Sequence, residues 1–217
     1  AQAKGEIPEP TAVNVGQIRK IVFACDAGMG SSAMGATKFH NRIKAERPDL
    51  TVTNSSVDTI PADADVVVFC GGLPAPMESE GFDRTSLDLP AGQIRVIEAL
   101  AALTVPVVVV LSNGGVVHLP FSDRVGAVLE CWLGGQAGAA GAVDILFGDT
   151  DPGGRLAESI PEHVAQLPAD RNFPGQPRQV QYREGIHVGY RFHDTAGVPA
   201  RFAFGHGLSY TSFEWSE

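Results

Sequence analysis

A short apolar run at residues 65–70 limits the folds open to this chain. The run reads DVVVFC and is closed by two glycines. Because its apolar residues do not alternate with polar ones, it is typical of a strand buried on both faces of a helix-covered parallel sheet. A charged loop carrying Glu80 follows the run. Loops at the carboxyl ends of parallel strands are common places for binding and catalysis.

Strands and helices alternate along residues 18–147. The predicted strands are 18–25, 50–54, 65–70 and 105–112. The first predicted helix begins at Ser31 or Ser32, the second spans 91–103 and the third spans 136–147. Periodicity alone leaves residues 122–133 open between helix and strand. The pattern predicts an α/β fold with a doubly wound, mostly parallel sheet, flavodoxin-like, as one layered unit. A loop-rich, aromatic segment is expected after Pro152.

Composition excludes several function classes. A chain of 217 residues fits one large α/β domain or two small ones. Its net charge of −9 argues against a basic nucleic-acid-binding face, and no window is apolar enough for a membrane span. We expect a cytoplasmic protein without a signal peptide, with residues 1–17 as a linker or tail and three reduced cysteines.

A cysteine at the end of the first predicted strand marks the first candidate site. The segment from Cys25 reads CDAGMGSS and leads into a predicted helix. Loop N–H groups and the positive end of a helix stabilise a thiolate, and can lower a cysteine pKa from about 8.5 to roughly 3.5–7.5. The same donors bind phosphate. The spacing alone fits equally well a buried cysteine beside an ordinary strand-to-helix turn.

A longer match surrounds this cysteine. KIVFACDAGMGSSAMGA, with TVTNSSVDTIPADADVVV after it, resembles the mannitol-type enzyme IIB domain of the bacterial phosphotransferase system over about residues 18–68. The resemblance implies that Cys25 accepts a phosphoryl group from a phosphohistidine on a IIA-type protein and passes it to a sugar in a IIC membrane transporter. The implied phosphate-binding residues are Asp26, Ala27, Gly28, Met29, Gly30, Ser31 and Ser32.

The loop MESEGFDR is the second candidate site. A lone carboxylate such as Glu80 is usually solvated, and Asp83 beside Arg84 is an ion pair of little energetic weight. The wider segments GLPAPMESEGFDRTSLDLPAGQ, LSNGG, WLGGQAGAAGAVDILFGDTDPGGRL, YREGIHVGYRF and FAFGHGLSYTSFEW resemble the second domain of glycoside hydrolase family 3, notably bacterial β-glucosidases. This resemblance covers about residues 64–217. It implies that Glu80 is the general acid/base and that residues 125–133 form a strand.

The same resemblance implies that Glu80 lacks a partner within these 217 residues. Retaining glycosidases use two carboxyl groups about 5–5.5 Å apart, one of them as nucleophile. In the family, that nucleophile is an aspartate on a preceding (β/α)₈ barrel, which this sequence does not contain. We therefore expect no glycosidase activity from the chain alone.

Together the two resemblances predict a hybrid, with an enzyme IIB-like part at 18–68 and a glycosidase-like part at 64–217 sharing one sheet. Three function classes stay open: a phosphocysteine carrier using Cys25, the C-terminal half of a retaining β-glucosidase contributing Glu80, and a non-catalytic scaffold. The carrier is the leading interpretation because its site is local and complete. It would take a phosphorylated IIA-type protein and a sugar or sugar transporter as partners. The histidines lack metal-ligand spacing, so we expect no metal site and no cofactor.

Overall fold

A computed structural model describes residues 17–25, 31–175 and 178–214, which contain one five-stranded sheet. Neighbouring strands are parallel and follow the order β2-β1-β3-β4-β5. The strands are β1 (Lys20–Cys25), β2 (Thr51–Ser56), β3 (Val66–Gly72), β4 (Val107–Ser112) and β5 (Ala127–Glu130). The helices are α1 (Ser31–Ile43), α2 (Ala91–Ala101), α3 (Gly138–Phe147) and α4 (Tyr190–Ala196). The predicted α/β fold with a parallel sheet is confirmed.

Both faces of this sheet are covered, because alternate side chains of a strand point to opposite faces. On one face, Val67 and Phe69 of β3 belong to the larger buried cluster, to which α2 contributes. On the other face, Val66 and Val68 pack with α1, and α3 adds partly buried side chains. The valine run that predicts a doubly buried strand is thus β3, between β1 and β4.

Helix α1 joins the front of the chain to its middle. Phe39 is 2% exposed, and its ring centroid lies 5.1 Å from that of Phe23 in β1 and 4.3 Å from that of Phe147 in α3. Arg42 of α1 also forms an ion pair with Asp149, just after α3, at 3.0 Å. Residues on both sides of the predicted 64–68 boundary therefore share one sheet and one core.

The connection from β4 to β5 differs from the simple alternation of strands and helices. Residues 113–126 contain turns and no helix. Instead, Val117, Leu119 and Phe121 are buried against the sheet in the same cluster as α2. Strand β5 is only four residues long, which explains why periodicity leaves 122–133 undecided.

The part of the chain after α3 is built mainly of turns, as predicted, with the short helix α4 and a bridge between Ile160 and Phe202. Several large apolar side chains on it are exposed: Phe173, Val180, Tyr182, Ile186, Leu208, Tyr210 and Phe213. Of the helices in the described ranges, none has the length and apolar character needed to cross a membrane.

Candidate active site

The Glu80 loop begins where β3 leaves the sheet at Gly72. A Cβ at this glycine would lie 1.8 Å from the carbonyl oxygen of Ser112 in β4, and its φ is +154°. The side chain of Gln93 in α2 bonds both backbone groups of Gly72: its Oε1 accepts from the N–H and its Nε2 donates to the carbonyl, each at 2.9 Å. The carboxyl end of β3 is therefore held in place by both β4 and α2.

A cleft of about 360 Å³ opens beside this loop. Its lining comes from the loop itself, from the turn after β4 and from the turn after β5: Glu78, Ser79, Phe82, Arg84, Gly114, Gly115 and Leu133. Phe82 is 80% exposed and Leu133 is 66% exposed. The cleft thus lies at the carboxyl edge of the sheet, with uncovered apolar side chains beside polar ones, as is usual for binding sites in parallel sheets.

Two polar contacts attach the loop to the turn after β4. The Gly114 N–H donates to Glu78 Oε2 at 2.7 Å, and Arg84 Nη1 donates to the Val116 carbonyl at 2.9 Å. The other nitrogens of Arg84, Nε and Nη2, are buried and have no hydrogen-bond partner among the described residues. A Cβ on Gly114 would lie 3.1 Å from Glu78 Oε2, so a glycine here allows this close approach.

A buried polar cluster supports the turn from behind. Asn113 is 0% exposed, and its Nδ2 donates to the Gly115 carbonyl at 2.9 Å and to Glu130 Oε2 at 3.2 Å. Glu130 Oε1 also accepts from the N–H of Trp132 at 2.8 Å, and Trp132 has a positive φ of 48°. Burial raises the pKa of Glu130 above its ordinary value, and these hydrogen bonds oppose that shift.

Glu80, the predicted acid/base, is exposed. Within the described ranges, no group forms a hydrogen bond or ion pair with its carboxylate. Glu78 lines the cleft instead, and the reasoning from sequence did not select it. The signals that could have indicated it are two glutamates in MESEG and the glycine pair of LSNGG.

The cysteine loop lies mostly outside the described residues. Strand β1 ends at Cys25 and α1 begins at Ser31. The segment between them, which holds Asp26, Ala27, Gly28, Met29 and Gly30, is not described, nor are the side chains of Cys25, Ser31 and Ser32. The predicted phosphate cradle therefore stays a prediction.

The other two cysteines, Cys70 and Cys131, are half-buried. Burial, with a smaller effect of the neighbouring Glu130, raises the pKa of Cys131 to about 11. No group of three or more His, Cys, Asp or Glu side chains within the described part of the chain could hold a metal ion.

The known proteins to which the chain is similar are glycosidases. The family description "Glycosyl hydrolase family 3 C-terminal domain" matches residues 21–210. Thermostable beta-glucosidase B of Acetivibrio thermocellus is 50% identical over 154 residues, which are 71% of this chain and 20% of that protein. Exo-alpha-(1->6)-L-arabinopyranosidase of Bifidobacterium longum is 45% identical over 170 residues, 78% of this chain and 22% of that protein. The crystal structure of Bifidobacterium adolescentis GH3 beta-glucosidase aligns with a TM-score of 0.73 and 36% identity, covering 94% of this chain and 33% of that one.

The matches to known proteins show which family the chain belongs to and how much of its relatives' length it spans. The chain spans about a fifth of the length of the two curated relatives. The family match begins at residue 21, so it includes the segment that resembles enzyme IIB, and none of these comparisons supports a IIB domain there. Since the match extends over most of its residues, the chain belongs to the glycosyl hydrolase family 3 C-terminal domain family.

Proposed function

We propose that the chain is the acid/base-bearing part of a glycosidase that cleaves β-glucosides, with Glu80 as the proton donor and acceptor. The observation that carries this proposal is an exposed carboxylate, without a hydrogen-bond partner in the described part of the chain, on a loop that is attached beside an open cleft. General acid/base catalysis requires a positioned carboxyl group within hydrogen-bond reach of the glycosidic oxygen. An exposed Glu80 can meet that requirement once a sugar is held against the cleft.

The rest of the machinery would come from a part of the enzyme outside these 217 residues. A retaining mechanism needs a second carboxylate about 5–5.5 Å away to form the glycosyl-enzyme intermediate. The exposed apolar side chains at the cleft and along the C-terminal segment, such as Phe82, Leu133 and Ile186, are consistent with a missing neighbour. So is the small share of each relative that the chain spans.

Sugar specificity is a separate part of the proposal. One relative is named a β-glucosidase and another an α-L-arabinopyranosidase. We favour β-glucosides because the relative with 50% identity and the aligned Bifidobacterium adolescentis structure are both named for that activity.

The proposal predicts a large effect of Glu80 in a complete enzyme. The chain alone should not hydrolyse aryl β-glucosides. When the chain replaces the homologous segment of the full-length Acetivibrio β-glucosidase, Glu80→Gln should lower kcat/KM by about 10²–10⁴-fold, because the leaving group loses its proton donor. The assay is release of glucose from an alkyl β-glucoside, whose strongly basic leaving group needs a proton, with Glu158→Gln on an exposed loop as the matched control. A Glu80→Gln hybrid as active as the unmodified hybrid would contradict the assignment.

Phosphoryl acceptance on Cys25 is a second candidate function. Its support is the CDAGMGSS motif together with a strand that ends at Cys25 and a helix that begins at Ser31. In the proposed step, the P–N bond of a phosphohistidine breaks as a P–S bond forms on the thiolate. The division into an enzyme IIB-like part at 18–68 and a glycosidase-like part at 64–217 belongs to this second proposal.

This second candidate predicts an unusually acidic thiol at Cys25. At pH 6, iodoacetamide should modify Cys25 while Cys131 stays unmodified, because a thiol with a pKa of about 11 has almost no thiolate at that pH. Peptide mass spectrometry would separate the sites. Gly28→Val combined with Gly30→Val should abolish the modification of Cys25 at pH 6, because it blocks the backbone conformations that direct loop N–H groups at the sulfur. Reaction of Cys25 only at the pH of an ordinary thiol would exclude the phosphate cradle.

A further inference from the structure

Glu80 lies between two contacts that end on the same short segment, residues 114–116. Two positions before it, Glu78 accepts from the Gly114 N–H, and four positions after it, Arg84 donates to the Val116 carbonyl. Apart from one short turn at Ala75–Met77, residues 73–90 form no helix or strand. The position of Glu80 therefore depends on side chains that flank it, because its own carboxylate has no partner among the described residues.

The 114–116 segment is itself a firm support. Asn113, at its start, is completely buried and bonds the Gly115 carbonyl, and the same amide donates to Glu130. Glu130 ends β5, and Asn113 directly follows β4. A continuous series of polar contacts thus leads from the carboxyl ends of two strands to the loop on each side of Glu80.

We propose that Glu78 is a positioning residue for Glu80, with Arg84 as the second point of attachment. A carboxylate that accepts from a backbone N–H makes a charge-assisted bond, stronger than one between neutral groups. Gly114 permits it, since any side chain there would crowd Glu78 Oε2. This inference rests on the proposed role of Glu80, but the attachment itself is a property of this chain and can be measured without catalysis.

The experiment is solution NMR on the chain, reading the Gly114 amide and the backbone dynamics at Glu80. Glu78→Ala should remove the acceptor, lower the exchange protection of the Gly114 amide by about 10- to 100-fold and raise backbone mobility at Glu80. Glu78→Gln keeps an acceptor oxygen and should restore most of both signals. Glu158→Ala, an exposed glutamate on another loop, is the control and should change neither.

Two further outcomes separate this inference from the proposed function. In the β-glucosidase hybrid, Glu78→Ala should lower kcat with a smaller change in KM, and Glu78→Gln should recover most of the lost rate. If Glu78→Ala leaves the Gly114 amide and the Glu80 backbone unchanged, the positioning role is wrong even where Glu80→Gln is inactive. If the NMR changes occur as expected but Glu80→Gln keeps full activity, the attachment is real and the acid/base assignment is wrong.

Discussion

Replacement of Gly72 by alanine should lower the free energy of unfolding by about 2–5 kcal/mol, because steric overlap and backbone strain add together. The new Cβ would lie 1.8 Å from the Ser112 carbonyl oxygen, which belongs to β4 and also accepts from the Leu73 N–H. That oxygen cannot move without breaking the pairing of β3 with β4. In addition, the φ of +154° is one that residues with a Cβ rarely adopt.

Urea denaturation followed by circular dichroism would measure the effect. Gly141→Ala is the matched control: Gly141 lies inside α3, nothing approaches its Cβ position within 4 Å, and alanine there should raise stability by about 0.5–1 kcal/mol. An alanine at Gly72 with unchanged stability would mean that β3 does not leave the sheet as described. Where the variant stays folded, Gln93 should also lose its paired bonds to the strand end.

Phe39→Ala should lower the free energy of unfolding by about 3–5 kcal/mol, because it leaves a cavity between the sheet and α3. The ring contacts Phe23 on one side and Phe147 on the other. Because these contacts join the part before residue 68 to the part after it, both parts should unfold together, in the unmodified chain and in the variant. Calorimetry should therefore give one transition that moves to lower temperature.

Phe82→Ala is the control for this measurement, because that ring is 80% exposed and its loss should change stability by less than about 0.5 kcal/mol. Two well-separated transitions in the unmodified chain, assigned to the regions before and after residue 68, would show that the shared core does not couple them.

Strands with continuous apolar runs could be predicted closely from the sequence. The runs at 65–70 and 105–112 correspond to β3 and β4, and the helix predicted at 91–103 is α2, ending at Ala101. Strand β2 extends to Ser56, beyond the predicted end at residue 54. Its last residues are polar, and they are held by backbone pairing with β1, as in Cys25 opposite Ser56. Apolar periodicity carries no signal for such pairing.

The connection from β4 to β5 and the contacts of the Glu80 loop could not be predicted from local sequence patterns. Val117, Leu119 and Phe121 are buried without helical spacing, because distant elements provide their neighbours. Glu78 and Gly114 are 36 residues apart in the chain. The family resemblance indicated Glu80 as a candidate, but the hydrogen bond from the Gly114 N–H to Glu78 is visible only in the tertiary structure.

The front of the chain shows a different limit of sequence reasoning. A strand, a glycine-bearing loop and a helix form the opening unit of many parallel sheets, so this pattern alone does not distinguish an enzyme IIB domain from a glycosidase domain. The family match from residue 21 includes that unit in the glycosidase family. Phosphoryl transfer at Cys25 consequently stands as a proposal that chemistry must test.

Strand β2 has a consequence for behaviour in concentrated solution. Among the described residues it forms one edge of the sheet, and edge strands can act as templates for pairing with another chain. Its sequence, TVTNSS, includes a single apolar residue, Val52. A second molecule pairing there would bury little apolar surface and would mainly exchange hydrogen bonds to water for hydrogen bonds to protein, which contributes little net free energy. This polar edge therefore works against strand-to-strand aggregation while the valine-rich strands stay enclosed.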